Sequence, residues 1–459
     1  MKNHAVVVGG GICGLMAALL LKRSFSEVTL IEQSAEVGGL FRSVKDELGA
    51  YYDMGSHIPN ETGIAELDEM LFGSNQQQLS TWNVIEKLKS GNYFGGEWDL
   101  NSPFADSKKL DKQTYQQGCA ELIQSTEFSD SSLILPFCKE TLGDTFTNHI
   151  VIPILQKLYG RHTDLSSLTM GAGLFGFTRI LAFDAAVADV LKQLPVFDAK
   201  LGYQTFAHFE ARQARDSSST PRYYYPKTEH GIQTWVSMLA EKVTAAGVNI
   251  LCESKITSLE MENKKVKKVY LANVTEPLPC DLLFWSAPPF LALQALGLPV
   301  VQNRPELRTA IVFHLNFDKP LNNQESHYLW VWDKNTDIFR LTLYPNLNPS
   351  SQFNTLSAEI LCKPDEVDEY TLDLVLSDLR DMKMIPENAQ CISHIKQAIH
   401  NTFPVPTQSF EKNNELNYQT LESNVDNVII SGRSGGKQWR QADVLIAAYN
   451  EILDYISAG

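Results

Sequence analysis

Residues 5–8 form an unbroken apolar run, Ala-Val-Val-Val, of the kind that fills a strand covered on both faces. Three glycines end it, and the apolar stretch that follows predicts a helix over 15–22, then a strand over 28–31. From about 105 to 211 the apolar spacing is helical, clearest over 146–158 and 180–194. A helix is predicted over 233–246, with Trp235, Leu239, Val243 and Ala246 on one face and Gly247 as its stop. Strands follow at 248–252, 255–260, 264–271 and 282–286. Beyond Leu307 the pattern is sheet-like over 310–317, 328–332, 338–344 and 356–362, with Ile311, Phe313, Leu315 and Phe317 alternating. A strand at 427–431 and a helix at 441–456 close the chain.

The punctuation of the first unit carries chemistry. Gly9-Gly10-Gly11-Ile12-Cys13-Gly14 joins strand to helix as GxGxxG. Gly9 permits the tight turn, Gly11 lets backbone approach a diphosphate, and Gly14 lets the helix pack against the strand, with Ala18 keeping that contact close. The helix start presents free N–H groups and a positive dipole end, and Ile12 and Cys13 contribute to it. Glu32 ends the second strand where an acceptor for ribose hydroxyls is needed, with Gln33 beside it; an acid there suits adenosine without a 2′-phosphate. Paired glycines in Gly38-Gly39-Leu40 bring further amides to a phosphate, and Arg42 adds a charge-assisted contact.

The run over residues 9–43 resembles the FAD-binding opening of the flavin amine oxidase superfamily, which includes protoporphyrinogen oxidases, monoamine and polyamine oxidases, UDP-galactopyranose mutases and the Rab GDP-dissociation inhibitors. Asp53-Met54-Gly55-Ser56-His57 resembles the family stretch that approaches the isoalloxazine ring, and the resemblance sets Gly55, Ser56 and His57 there. His57 matches a histidine that the mutases place beside the flavin; its other reading is structural. A strand residue at Ile256 would meet the adenine side through its backbone while also packing the core. Ser286-Ala287-Pro288 matches the exit from the flavin domain. Gly432-Arg433, followed by a helix beginning Gln441-Ala442-Asp443, matches the closing unit, with Gly432 near the flavin and the helix start at its pyrimidine or ribitol end. Asp443 either accepts from ribitol hydroxyls or offsets the helix dipole as a surface acid.

The resemblance implies an α/β fold: a Rossmann-like FAD-binding domain of the GR2 type plus a second, discontinuous substrate domain of helices and a mixed β-sheet. The expected boundaries are 1–75, 223–300 and 413–459 for the FAD-binding domain, with helices of 76–222 and a sheet of 301–412 for the other. A chain of 459 residues suits two domains, since single cores stop growing near roughly 250–300 residues. Tyr328, Trp330, Trp332 and Tyr344 are either walls of the substrate site or core packing. Arg340 is a candidate catalytic residue alongside His57: an anion or sugar-phosphate anchor, or a solvated strand face.

Composition narrows the rest. Hydrophobic residues at 44% and charged residues at 20% are ordinary for a globular protein. With 39 Lys+Arg against 54 Asp+Glu, the net charge of −15 disfavours nucleic acid as a partner. Seven scattered cysteines offer neither a disulfide framework nor a zinc pattern, so no metal is expected and a reducing compartment fits. The apolar run over 5–21 is too short and too glycine-broken for a transmembrane segment, and the expected location is the cytoplasm.

Two departures from the amine oxidases matter. Residues 434–440 contain no cysteine, so FAD is expected to be noncovalent. Val312 stands where many amine oxidases place a flavin-bridging lysine. The expected function is an FAD-dependent oxidoreductase passing hydride from a small organic substrate to flavin N5. The alternatives are a nonredox mutase acting on a nucleotide sugar, and a noncatalytic binding protein on the same fold. Substrate, electron acceptor and oligomeric state do not follow from the sequence.

Overall fold

A computed structural model describes residues 2–215, 220–301 and 305–457. A five-stranded parallel sheet runs in the order Val428–Ile430, Leu282–Trp285, Lys2–Val8, Phe25–Ile31, Asn249–Leu251. Its central strand explains the unbroken apolar run. Ala5 and Val7 pack with residues of the helices Ile12–Lys22, Gln233–Ala245 and Gln441–Ser457. Val6 and Val8 pack the other way, against Leu259, Val266 and Val269 of a three-stranded antiparallel sheet. Both faces are covered, so residues 5–8 are apolar, and His4 before them is buried with its ring bonded to the Thr29 hydroxyl. The strands come from distant parts of the chain, and therefore the ligand-binding end of this sheet is assembled from four separate segments.

The second sheet has seven strands in the order Cys391–Pro404, Leu307–Phe317, Asn354–Cys362, Ile338–Leu343, Tyr328–Val331, Ser90–Phe94, Glu97–Asp99. All its pairings are antiparallel except Tyr328–Val331 with Ser90–Phe94, which makes it mixed. One face packs against residues 134–201, through Phe146, Ile154, Leu155, Trp330, Trp332 and Phe339. The other is closed by the helix Leu372–Asp381 through Val375, Leu376 and Leu379.

Two helical expectations are revised. Residues 180–194 are not one helix: Ile180 and Leu181 bridge to Leu201 and Asp106, and the helix begins only at Ala185 after Asp184. A second short helix, Pro195–Lys200, starts on a proline that would have broken a continuous one. Residues 146–158 are helical, but through a π-helical turn at Thr147–Val151 that precedes Ile152–Tyr159 and its Pro153. No helix among the described residues is long and apolar enough to cross a membrane. All seven cysteines are free thiols.

Candidate functional site

The glycine loop is built as its sequence requires. Gly9 has φ +99, and a Cβ there would fall 2.1 Å from the Ser286 hydroxyl oxygen. A Cβ on Gly14 would fall 1.9 Å from the Gly9 carbonyl oxygen, so only glycine lets this helix seat. Gly11 differs: a Cβ there would meet no protein atom within 4 Å. It is the residue preceding the helix Ile12–Lys22, whose first amides have no side-chain cap. The second glycine pair is tied to the first, because the Gly38 amide donates to the Gly10 carbonyl at 2.7 Å and Gly11 bridges Gly38. Leu40 lies within the short turn Gly39–Phe41. Arg42 Nε donates to the Gly39 carbonyl and steadies that turn.

Glu32 closes one side of the cradle. Its Oε2 accepts from the Gly10 amide at 2.7 Å and its Oε1 from Ser34 at 2.8 Å. Each carboxylate oxygen keeps capacity for another donor. Gln33 is exposed beside it. The chain before Ile256 reaches this corner through Ser254, whose amide donates to the Glu32 carbonyl. Ile256 itself pairs with Leu271 and packs against the core, half-buried. Cys13, on the first helical turn, is an inert thiol, pushed up to about 12 by burial.

At the other end, Ser286 wedges between loops: its hydroxyl donates to the Val8 carbonyl at 2.6 Å, and its Cβ lies 2.8 Å from where a Gly432 side chain would begin. Gly432 has φ +89 and leads into Arg433. The helix Gln441–Ser457 opens on Gln441, whose Nε2 is buried without a hydrogen-bond partner, an orphaned donor at a positive dipole end. Ala442 is half-buried; Asp443 is exposed.

Between these ends, His57, Arg340 and Arg433 come together. His57 Nε2 donates to the Met54 carbonyl at 3.0 Å, and its ring lies 5.0 Å from Phe41. Burial first, then the nearby charges of Arg340 and Arg433, push its pKa down to about 3, so it is neutral. Its proton is on Nε2, leaving Nδ1 as acceptor. Gly55 sits on the cluster: a Cβ there would lie 3.3 Å from Glu359 and 3.5 Å from His57. Arg340 is neither solvated nor free. Its Nε and Nη2 donate to the two oxygens of Glu359 at 2.7 and 2.6 Å, and the Ser56 amide donates to the same carboxylate. Arg433 stacks on Trp439, 3.9 Å from the ring centroid, with Phe403 at 5.4 Å. Burial, and then Arg340, push its pKa down to about 10.

Glu359 was not singled out in the sequence, although one acid inside the apolar strand Asn354–Cys362 is a signal that something pairs with it. Asp53, quoted only as part of a motif, is the pin of the site. It accepts from Tyr225 hydroxyl and the Ile232 amide at 2.9 Å and from Ser43 hydroxyl at 3.1 Å. Its amide donates to Tyr344 hydroxyl, which also bonds Ser357. The buried Asp53 carboxyl therefore joins the loop at Ser43 to the strand residue Tyr225 and the start of the helix Gln233–Ala245, while its backbone amide reaches Tyr344 at the end of the strand Ile338–Leu343.

Of the aromatic candidates, Trp332 is buried with its indole N–H on the Pro103 carbonyl, Trp330 stacks on it, and Tyr344 is taken up by Asp53. Only Tyr328 is half-buried. Val312 is fully buried within its strand, opposite Glu359 and Gln397. Among the described residues no group of three or more His, Cys, Asp or Glu could hold a metal ion.

Comparison with known proteins agrees with this geometry. Residues 7–67 match the NAD(P)-binding Rossmann-like domain. The chain is 21% identical over 284 residues to coproporphyrinogen III oxidase of Staphylococcus aureus, a match covering 59% of this chain and 58% of that enzyme, less than two thirds of its length. Over its whole length the chain superposes on reduced UDP-galactopyranose mutase, covering 95% of it, with a TM-score of 0.73 and 15% identity. Putrescine oxidase superposes over 99% of both chains with a TM-score of 0.60 and 13% identity. The fold is that of the flavin amine oxidase-like structures.

Proposed function

We propose that this chain, having the flavin amine oxidase-like fold, binds FAD noncovalently and acts as an oxidoreductase on a small organic molecule. The observation that carries the reading is the cradle around Gly11. Two glycine loops bonded to each other meet a helix start, and at Gly11 alone in GxGxxG a side chain would displace ligand rather than protein. Gln441, with its unsatisfied buried donor, suits the flavin end, and Glu32 the ribose. Noncovalent binding rests on the lack of cysteine over 434–440 and on the protonated, buried thiol of Cys13.

Bound there, FAD supplies the hydride-accepting chemistry. The residues of this chain do the remainder. The Ser286 and Gly432 loops position the far end of the cofactor, and the helix dipole at Gln441 favours negative charge beside it. His57 offers an acceptor at Nδ1 and holds no proton to give as an imidazolium. The Arg340–Glu359 pair fixes the loop carrying Ser56, and so holds His57 in place. The unpaired cysteines suit a reducing compartment.

The purified protein is expected to be yellow, with one FAD per chain released on denaturation. Anaerobic mixing with a panel of amines, porphyrinogens and UDP-sugars identifies the reaction: bleaching of the flavin marks an oxidised substrate. A folded, colourless protein that takes up no added FAD overturns the reading and favours a noncatalytic binding role. One observation favours a mutase as the second reading. By the family resemblance Val312 stands for a flavin-bridging lysine; it is buried in its strand opposite Glu359 and Gln397, and a nonredox enzyme has no need of such a lysine. Turnover by the prereduced protein without consumption of an acceptor distinguishes it.

A further inference from the structure

We propose that the molecule accepted beside the flavin carries an anionic oxygen group, a carboxylate or a phosphate, and that Arg433 holds it. This rests on the flavin reading above, and adds the charge class of the substrate.

Arg340, Arg433 and the neutral His57 lie within reach of one another's charge, and the carboxylate bonded within this cluster is that of Glu359. Glu359 is committed twice over, with both oxygens on Arg340 and a further bond from the Ser56 amide. Arg433 is half-buried and repelled by Arg340, and it makes no ion pair or hydrogen bond with any described residue. Stacking on Trp439 and Phe403 holds the plane of its guanidinium and leaves the N–H edges to point elsewhere. A guanidinium fixed by stacking, with its N–H edges free of protein partners, is placed to make charge-assisted bonds to an anionic oxygen. Bulk charge does not explain it, because the chain carries a net −15 and this cleft is locally positive. A second arginine, Arg440, is exposed and acts on Tyr223, adding positive charge on the same side of the chain's closing segment. Half-buried Phe175, Tyr328, Phe403 and Trp439 add flat apolar surface, suited to a planar body behind the anion.

The test uses the flavin-loaded protein at low salt and three probes: 2-naphthoate, its uncharged amide 2-naphthamide, and UDP. Flavin absorbance and tryptophan fluorescence report binding. At least one of the two anions is expected to perturb them saturably, with the amide weaker by about tenfold or more. Naphthoate alone points to a carboxylate, UDP alone to a phosphate. Arg433→Gln, with its flavin content measured first, is expected to weaken the effective anion by about tenfold and leave the amide unchanged; Arg433→Lys should recover part of the loss. Three results overturn the proposal: neither anion binds, Arg433→Gln binds them as tightly as the parent, or Arg433→Gln loses its flavin, which would make the cofactor the partner of this charge. A parent protein that purifies without flavin is a different failure, that of the flavin reading itself.

Discussion

The amide of Gly38 donates to the carbonyl oxygen of Gly10 across 2.7 Å, binding the second glycine loop to the first. The bond matters because it fixes the two loops relative to each other. Gly10 is also gripped by Glu32, and Gly38 rests against Val236 of the helix Gln233–Ala245. The cradle thus draws on strand, helix and a segment from the middle of the chain, and its amides are held by protein contacts. Preorganised amides of this kind pay little reorganisation when an anion docks.

Gly11 and Gly14 separate folding from binding within one turn. Gly11→Ala places a methyl where no protein atom lies within 4 Å, at φ −70 and ψ 175, angles any residue adopts. Its stability should stay within about 0.5 kcal/mol of the parent, while FAD affinity falls at least tenfold. Gly14→Ala drives a methyl into the Gly9 carbonyl, and should lose about 1–3 kcal/mol or more by overpacking. Urea unfolding and FAD titration of the two variants check this. An alanine at position 11 that binds FAD as the parent does would show that no ligand approaches the backbone at Gly11.

What could be read from the sequence was what local chemistry specifies. The glycine spacing, Ala18, Glu32 and the closing Gly432-Arg433 are each fixed by a turn, a close approach or a charge within a few residues. Long-range pairing is what escaped. The strand Cys391–Pro404 alternates polar residues and owes its existence to Leu307–Phe317, so its own pattern shows little. Ser90–Phe94 joins the same sheet only because Tyr328–Val331 lies alongside it. Arg340 was visible as a charge in an apolar strand, but its partner Glu359 sits on the neighbouring strand, and register is needed to see that the two side chains meet.

The Arg340–Glu359 pair predicts an asymmetry between single and double substitution. Glu359 is nearly inaccessible and Arg340 is 14% exposed. Glu359→Gln leaves a buried guanidinium uncompensated and should cost roughly 3–5 kcal/mol, whereas replacing both residues by methionine should cost much less. Chemical denaturation of the single and double variants measures the difference. Equal losses would show that the pair is not acting as a unit.

His57 should be silent to pH across the neutral range. Its native pKa is pushed down to about 3, against about 6.5 when unfolded. The neutral form is the one the fold favours, so this histidine's contribution to stability is present above pH 6.5 and fades as pH falls toward 3. Between pH 5 and 8 its ring resonances are expected to stay fixed in the native protein, and Arg433→Gln, which removes a repelling cation, should raise its pKa. A native His57 that titrates near 6.5 would contradict its placement between two arginines.

Asp53 runs in the opposite direction. Burial raises its carboxyl to about 6, outweighing the bonds from Ile232, Tyr225 and Ser43 that favour the charged form. The native state therefore holds this proton more tightly than the unfolded chain does. Stability from that source is complete below the unfolded value near 4 and is lost as pH rises through 6. Asp53→Asn cannot titrate, so the parent's stability relative to the variant should decline by about 1–2 kcal/mol between pH 5 and 7.5. Paired urea titrations across that interval read the change directly. A constant difference would mean that the carboxyl is charged throughout, and that its three donors overcome the cost of burying it.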